Sequence, residues 1–360
     1  MKPNPVLQSK PFAITLDVGT SLLNKTGTWR TERPIYLDRL SPCNHACPAG
    51  ENIQAWLGHA EEGDYEAAWR QIMEDNPLPA VMGRVCYRPC EGACNRVGLD
   101  EAVGINSVER FLGDQGIKYG WTIPVGEATG KQVMVVGAGS GGLSAAYHLR
   151  RFGHEVTIFE SSPKAGGMLR WGIPKYRLPR EKLNAEIARI EEMGVKILLD
   201  TKVENARASM KEGKFDAAFL AVGAHSPMGL DIPATGEMPI LKGITVLHNL
   251  ELDQPTHLRG QVVVYGAGNT AMDVARTATR LTGLRPKVIV RRDRDRMAAH
   301  KFEVDEALFE KVEFLNLRTI KQVDGRTITL EKMVSGEDGW PQATGQYETI
   351  EGDVLVLALG

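Results

Sequence analysis

The sequence lacks any apolar run long enough to cross a bilayer. Its longest, such as VLVLAL at 354–359, are strand-sized, whereas a spanning helix needs ~18 residues. The opening, MKPNPVLQSKPF, has no apolar stretch ahead of a small-residue cleavage site, so it does not read as a secretory signal and a cytoplasmic protein is expected. A charge excess of either sign is missing too. With 43 Lys and Arg against 45 Asp and Glu, and no basic block, the chain offers nothing to a nucleic acid or an anionic membrane. Cysteine is absent beyond Cys94. All five cysteines fall between Cys43 and Cys94, and that clustering, the odd count and the missing export signal argue for a metal site over a disulfide framework. There are no solenoid-period repeats and no low-complexity tracts. No nucleophile with an adjacent base and no acid–base pair stands out, so no catalytic side chain is assigned.

What remains is an ordinary globular composition, 42% hydrophobic and 24% charged, in a chain of 360 residues. Single cores stop growing at about 250 to 300 residues, so two or three domains are expected. Residues 1–40 show no sustained period and read as an extension. The following stretch, to about residue 125, carries the cysteines and short amphipathic helices. Two of these are IQAWLGHA and DYEAAWRQIMEDN, the second opening on Asp64 and stopping before Pro77. From Lys131 a pattern of strand, glycine turn, helix and strand occurs twice, as KQVMVVGAGSGGLSAAYHLRRFGHEVTIFE and as QVVVYGAGNTAMDVARTATRLTGLRPKVIVRR. Two such units predict an α/β fold: two Rossmann-like dinucleotide-binding domains preceded by a helical, cysteine-bearing domain.

Gly137, Gly139 and Gly142 form a GxGxxG between a strand and a helix, where backbone amides and the helix terminus can meet a pyrophosphate. Glu160 closes the second strand, where a carboxylate can accept the ribose hydroxyls of an adenosine. The competing reading is a tight turn with no ligand. Beyond Glu160, Gly166 and Gly167 remove side chains near where the phosphates would lie, while Trp171, Ile173 and Tyr176 by themselves read as core packing. The second turn, Gly266, Gly268 and Ala271 with Asn269 in the bend, is a GxGxxA of the same kind. At the end of its second strand, where an NAD site wants an acid, stand Arg291 and Arg292, which suit a 2′-phosphate and favour NADP over NAD. Asp293 and Asp295 pull the other way, and two solvated arginines are the alternative.

The cysteines read CNHACP (Cys43, Cys47) and CYRPCEGAC (Cys86, Cys90, Cys94). Converging thiolates select zinc or an iron–sulfur cluster, and unligated thiols are the remaining alternative. Zinc knuckles favour CxxC pairs, whereas every local gap here is CxxxC and Cys47 is followed by Pro48, which favours iron–sulfur. His45 reads as packed or solvated.

Taken together, these stretches resemble the small (beta) subunit of NADPH-dependent glutamate synthase and its relatives, including the flavin–nucleotide portion of dihydropyrimidine dehydrogenase. The resemblance runs from about Pro42 to Gly360. It rests on CP followed by IQAWL, on NPLPAVMGRVC with CEGAC, on INSVERF, on GGMLRWGIPKYRLP, and on GAGNTAMD with RRDRDRM. It implies FAD on the first turn, NADPH on the second, and a [4Fe-4S] cluster on Cys47, Cys86, Cys90 and Cys94, with Cys43 as a remnant or alternative ligand. The fuller family pattern has two more cysteines where this chain has Ile35 and Asp38. The GIPxxRLP segment lies against the flavin in the family, which makes Gly172, Ile173 and Pro174 expected flavin contacts, and Arg291 and Arg292 match the positions facing the 2′-phosphate. The expected domains are an extension (1–40), an iron–sulfur domain (41–125), the first part of an FAD domain (126–235), an NADP domain (236–350) and a return strand to the FAD domain (351–360), whose remainder lies beyond Gly360.

The function so implied is an NAD(P)H-dependent flavin oxidoreductase subunit. It moves electrons between NADPH, FAD and the cluster and exchanges them with a partner subunit or a ferredoxin, within a hetero-oligomer. The alternative is a truncated, non-catalytic relay or assembly subunit. A flavoprotein disulfide reductase would need a redox cysteine pair near the flavin, and none follows Cys94.

Overall fold

The computed structural model of the protein describes residues 41–224 and 229–359. The expected extension over 1–40, with Ile35 and Asp38, lies outside the described residues, as does Gly360.

The first part is helical. Asn52 and Asp64 accept the amides of Ala55 and Ala67, capping helices Ile53–Glu61 and Tyr65–Ile72. Pro79 opens the helix Pro79–Val85 at the position where a missing N–H costs nothing. The apolar stripes of these helices and of Ile105–Tyr119 bury Ile53, Trp56, Ile72, Ile105 and Leu112 around Cys90.

The first nucleotide unit has strands β1 (Gln132–Val136), β2 (Glu155–Phe159), β3 (Lys196–Leu198) and β4 (Ala217–Leu220), all parallel in the order β3-β2-β1-β4. Helices Ser140–Arg151 and Arg180–Glu192 make the crossovers between β1, β2 and β3. Next come β5 (Ala234–Thr235), β6 (Ile240–Lys242), β7 (Val262–Tyr265), β8 (Lys287–Val290) and β9 (Glu313–Asn316). They are followed by β10 (Arg318–Asp324), β11 (Thr327–Ser335), β12 (Pro341–Glu351) and β13 (Val354–Leu357). The second nucleotide unit is the parallel sheet β6-β13-β7-β8-β9, with helix Asn269–Thr282 crossing from β7 to β8.

Two expectations need correction. The segment 351–360 is not a return strand to the first unit: β13 pairs in parallel with β6 and β7 and lies in the second sheet, because Val354–Leu357 is buried on both faces as a central parallel strand must be. The boundary at 235 is also displaced, since Ala234 and Thr235 pair with Val323 and Asp324. That pairing belongs to a sheet β12-β11-β10-β5 that the two-unit reading had no place for. Its signal was readable in the alternation of TIKQVDGRTITLE around the Gly325-Arg326 turn.

The helical part and the first unit share one core, in which Trp69, Met73, Leu78 and Val81 pack with Val135, Leu143, Tyr147 and Ile187. Polar groups pin the same seam. Glu186, fully buried on helix Arg180–Glu192, accepts the amides of Ala80 and Val81 at 2.9 and 3.2 Å, filling the role of an N-cap from another domain. Burial raises its carboxyl pKa. Tyr147 donates to Met73 O at 2.7 Å. Among the described residues, no helix is long and apolar enough to cross a membrane.

Candidate functional site

Both glycine turns are built to leave a helix start open. Helix Ser140–Arg151 begins at Gly139 and helix Asn269–Thr282 at Gly268, neither with a side-chain cap, so the first amides of each remain available to an anion. The turns are tight for the same reason. Gly137 has φ +103°, and a Cβ there would lie 2.4 Å from the Ala221 carbonyl just after β4; at Gly266 it would lie 2.3 Å from the Ala358 carbonyl just after β13. Gly142 and Ala271 are buried where the helices meet their sheets.

At the first turn, Glu160 is buried, with one carboxylate oxygen accepting Ala138 N at 2.7 Å and the other Ser162 N at 2.8 Å. Its charge is thus held at the mouth of the turn with lone pairs to spare for a ribose. Gly166 N donates to Ala138 O at 2.8 Å, and a Cβ on Gly167 would lie 2.6 Å from Gly139 Cα, so this second glycine pair closes over the first. Gly172 and Pro174 are buried and Ile173 packs half-buried on the shared core. Trp171 is buried against His248 of the second unit, whereas Tyr176 stays partly exposed under the Arg276 and Arg280 guanidinium groups.

At the second turn, a Cβ on Gly268 would meet nothing within 4 Å, so the face a pyrophosphate would approach is open. Asn269 is held from both ends, its Oδ1 accepting His300 N at 3.0 Å and its Nδ2 donating to the Tyr87 hydroxyl at 2.7 Å. Arg291 is exposed, and Arg292 rests on the Trp340 ring at 4.6 Å. Asp293 accepts from Ser335 Oγ at 2.5 Å. Arg291 is thereby left facing solvent with Arg292 half-buried beside it, a donor set suited to a phosphate.

Cys47, Cys86 and Cys90 line one cavity of about 210 Å³, together with Glu51, Glu109 and, from the helix that opens the first turn, Ser144. Burial raises the Cys47 and Cys86 thiols and pushes Cys90 up to about 12. Unliganded, these sulfurs stay protonated, and a cation would stabilise them as thiolates. Backbone amides already face them, as with Arg88 N donating to Cys86 Sγ at 3.4 Å, the hydrogen bonding that tunes cluster sulfurs. Cys94 does not line this cavity; its thiol is lowered by the amides of Val103 and Arg96. Cys43 packs beside the same helical core, with its sulfur 3.1 Å from Ser41 Oγ. Among the described residues, no three His, Cys, Asp or Glu side chains are close enough to share a single metal ion. A cluster whose ligands sit on separate irons does not require that. In the wall of the same cavity, Asn76 donates to both Glu51 and Glu109, at 3.0 and 2.9 Å, and burial raises both carboxyls.

The seam between the nucleotide units is ionic, and the sequence reading named none of it. Arg177, from the GIPKYRLP segment, donates to both oxygens of Asp273 at 2.9 and 2.8 Å and pairs with Glu303, which also meets Arg276 at 3.2 Å. Glu251 joins Arg180 at 2.9 Å and Arg170 at 3.6 Å. Burial outweighs Arg177 at Asp273 and pushes that carboxyl up to about 7. The only available clue was that Arg177 and Asp273 fall inside the motifs GGMLRWGIPKYRLP and GAGNTAMD, because no local periodicity marks an ion pair formed between residues 96 apart.

Comparison with known proteins places the chain among its relatives. Residues 131–360 match the family described as pyridine nucleotide-disulphide oxidoreductase, and residues 32–121 match dihydropyrimidine dehydrogenase domain II, 4Fe-4S cluster. The chain is 40% identical over 76% of its length to the NADP(+)-dependent formate dehydrogenase subunit beta of Moorella thermoacetica, covering 42% of that protein. It is 36% identical over 90% of its length to the NADPH-Fe(3+) oxidoreductase subunit beta of Geobacter sulfurreducens, covering 52% of that protein. It thus spans about half the length of these relatives. Against the glutamate synthase [NADPH] small chain of Escherichia coli the identity is 32%, over 88% of this chain and 73% of that one. Among solved structures, Mycobacterium tuberculosis FprA in complex with NADPH superposes with a TM-score of 0.52 at 18% identity, over 64% of this chain and 70% of that one, a likeness of fold.

Proposed function

The chain belongs to the pyridine nucleotide-disulphide oxidoreductase family and is a relative of the glutamate synthase small chain; on that footing we propose that it moves electrons between NADPH, FAD and a [4Fe-4S] cluster as one subunit of a larger oxidoreductase. One observation carries the reading. The helix that opens the first glycine turn contributes Ser140 and Ser144 to the wall of the cavity formed by Cys47, Cys86 and Cys90. A dinucleotide at that helix start and a cluster in that cavity would be neighbours across one turn of helix.

In this reading Gly137, Gly139, Gly142, Gly166 and Gly167 admit the FAD pyrophosphate, Glu160 takes the ribose, and Gly172, Ile173 and Pro174 meet the flavin ring. Gly266, Gly268, Asn269 and Ala271 form the NADPH cradle, and Arg291 with Arg292 selects the 2′-phosphate. Cys47, Cys86, Cys90 and Cys94 hold the cluster, with Cys43 the alternative. Bound there, a flavin supplies the conversion of a two-electron hydride from the nicotinamide into single electrons, chemistry that belongs to the cofactor. The protein's own part is to seat and orient the groups and keep the seam between them dry. No cysteine follows Cys94, so residues 131–360 hold no dithiol for the disulfide chemistry in the family's title. The electron outlet is a partner subunit or a ferredoxin, and the setting is the cytoplasm.

Protein purified anaerobically should show flavin bands and a broad iron–sulfur absorbance, both bleached by NADPH. A colourless protein that leaves NADPH unoxidised would reject this reading and favour the relay or assembly alternative.

A further inference from the structure

Tyr87 lies one residue beyond Cys86 and outside the cysteine cavity, yet it touches the other two parts of the molecule. Its ring is stacked on His300, centroid to centroid 3.6 Å and 9° from parallel, with Phe302 at 6.0 Å. Its hydroxyl accepts from Asn269 in the second glycine turn at 2.7 Å and sits beside the Arg177 guanidinium of the GIPKYRLP segment. The next residue, Arg88, has a left-handed backbone at φ +58°, a conformation that a long side chain adopts only when its surroundings hold it, and its guanidinium lies over the Phe302 ring at 5.0 Å. In that conformation the Arg88 amide donates to Cys86 Sγ at 3.4 Å.

These contacts form a short physical line. A dinucleotide phosphate at the start of helix Asn269–Thr282 bears on Asn269 and on the His300 backbone bonded to it; both hold Tyr87, and the peptide after Tyr87 carries the N–H that meets the sulfur. We propose that Tyr87 positions the second turn for its dinucleotide and transmits the occupancy of that turn to the Cys86 sulfur. The inference rests on the cofactor reading above, with the nicotinamide dinucleotide on the second turn and Cys86 as a cluster ligand. Removing the hydroxyl frees Asn269 Nδ2, and removing the ring releases His300 and relaxes the Arg88 amide away from the sulfur. N–H···S bonds are among the determinants of a cluster's electronic state, so the sulfur is where the change is read.

The test uses the full chain with its cofactors. NADP+ binding is measured by calorimetry on the oxidised protein, and the paramagnetic resonance spectrum of the cluster, held reduced by excess dithionite, is recorded with and without saturating NADP+. In the unaltered protein NADP+ should shift the g-values. Tyr87→Ala should still bind NADP+, about 5- to 10-fold more weakly for the lost bond and stack, and the shift should disappear. Tyr87→Phe, which keeps the stack and any packing that the alanine variant loses, should bind about 3-fold more weakly and retain part of the shift. An equal shift in Tyr87→Ala, or no shift in the unaltered protein although calorimetry shows NADP+ bound, would overturn the proposal. Absence of NADP+ binding in the unaltered protein would instead sink the cofactor reading and carry the proposal down with it.

Discussion

The two nucleotide units repeat one construction and are held in place by opposite means. In each, a glycine presses on the carbonyl after a neighbouring strand, Gly137 on Ala221 and Gly266 on Ala358, and an uncapped helix follows. The first unit, however, is welded to the helical part through a single apolar core that runs from Trp69 to Val135 and Ile187. The second has its own cores, one on each face of its sheet, and meets the first through Arg177, Asp273, Glu303, Arg180 and Glu251. Their sheets are alike in burial: the inner strands β1, β7 and β13 are buried over most or all of their length, and none of the edge strands β3, β4, β6 and β9 has a buried residue. Apolar continuity joins the cysteine cavity to the first turn; directional, titratable contacts join the second turn to both.

The largest effect that would test this contrast is at the weld. Trp69 is fully buried between the helical part and the first unit, so Trp69→Ala should cost about 3–5 kcal/mol in urea unfolding, and hydrogen exchange should rise in both parts together. Exchange rising in the helices alone would separate what we have joined. Leu355, at the centre of β13, is fully buried as well; Leu355→Ala should cost about 2–5 kcal/mol, with the loss seated in the second unit. If β13 instead served the first unit, protection would be lost there.

Next comes the second turn's chemistry. Arg291→Ala with Arg292→Ala should lower kcat/KM for NADPH by about 10- to 100-fold, as for loss of charge-assisted bonds, and leave NADH nearly unchanged. Equal losses with both coenzymes would remove the 2′-phosphate assignment.

The ionic seam has a pH signature. The Asp273 carboxyl has an ordinary pKa near 3.8 and is pushed up to about 7 by burial, so the folded protein binds this proton more tightly than the unfolded one. Its contribution is therefore most favourable below pH 4, declines as the pH rises from about 4 through 7, and is constant above. Subtracting the unfolding free energy of Asp273→Asn from that of the unaltered protein across this window should isolate the decline, and a flat difference would assign it elsewhere. Smallest of all, Phe219→Ser on the open strand β4 should change stability by no more than about 0.5 kcal/mol, the mirror image of Leu355. A large loss there would mean that the first sheet is closed after all.

Much of this was legible in the sequence because it is local. Strand, glycine turn and helix follow one another within about 30 residues in both units, and the capping residues Asn52 and Asp64 announce their own helices. What failed to show was long-range. VLVLAL reads as a buried strand by composition, but composition does not say which sheet will bury it, and β13 was assigned to the wrong unit. The antiparallel sheet was overlooked because its hairpin signal competes with the stronger parallel pattern on either side. Cys47, Cys86 and Cys90 line one cavity while Cys94, as far beyond Cys90 as Cys90 is beyond Cys86, does not, since spacing sets how far apart residues are along the backbone and not which way a loop turns.

By itself the sequence determined the three-part order, the two glycine turns and the confinement of the cysteines to one end, because each depends on residue types a few positions apart and on backbone freedoms that glycine alone supplies. The tertiary structure decided the rest. It chose which sheet received the last strand, placed a helix of the first turn in the wall of the cysteine cavity, and put Tyr87 against Asn269 and Arg177 against Asp273. Those are meetings between residues that are far apart in the chain, selected by how apolar faces and buried charges can be satisfied at once.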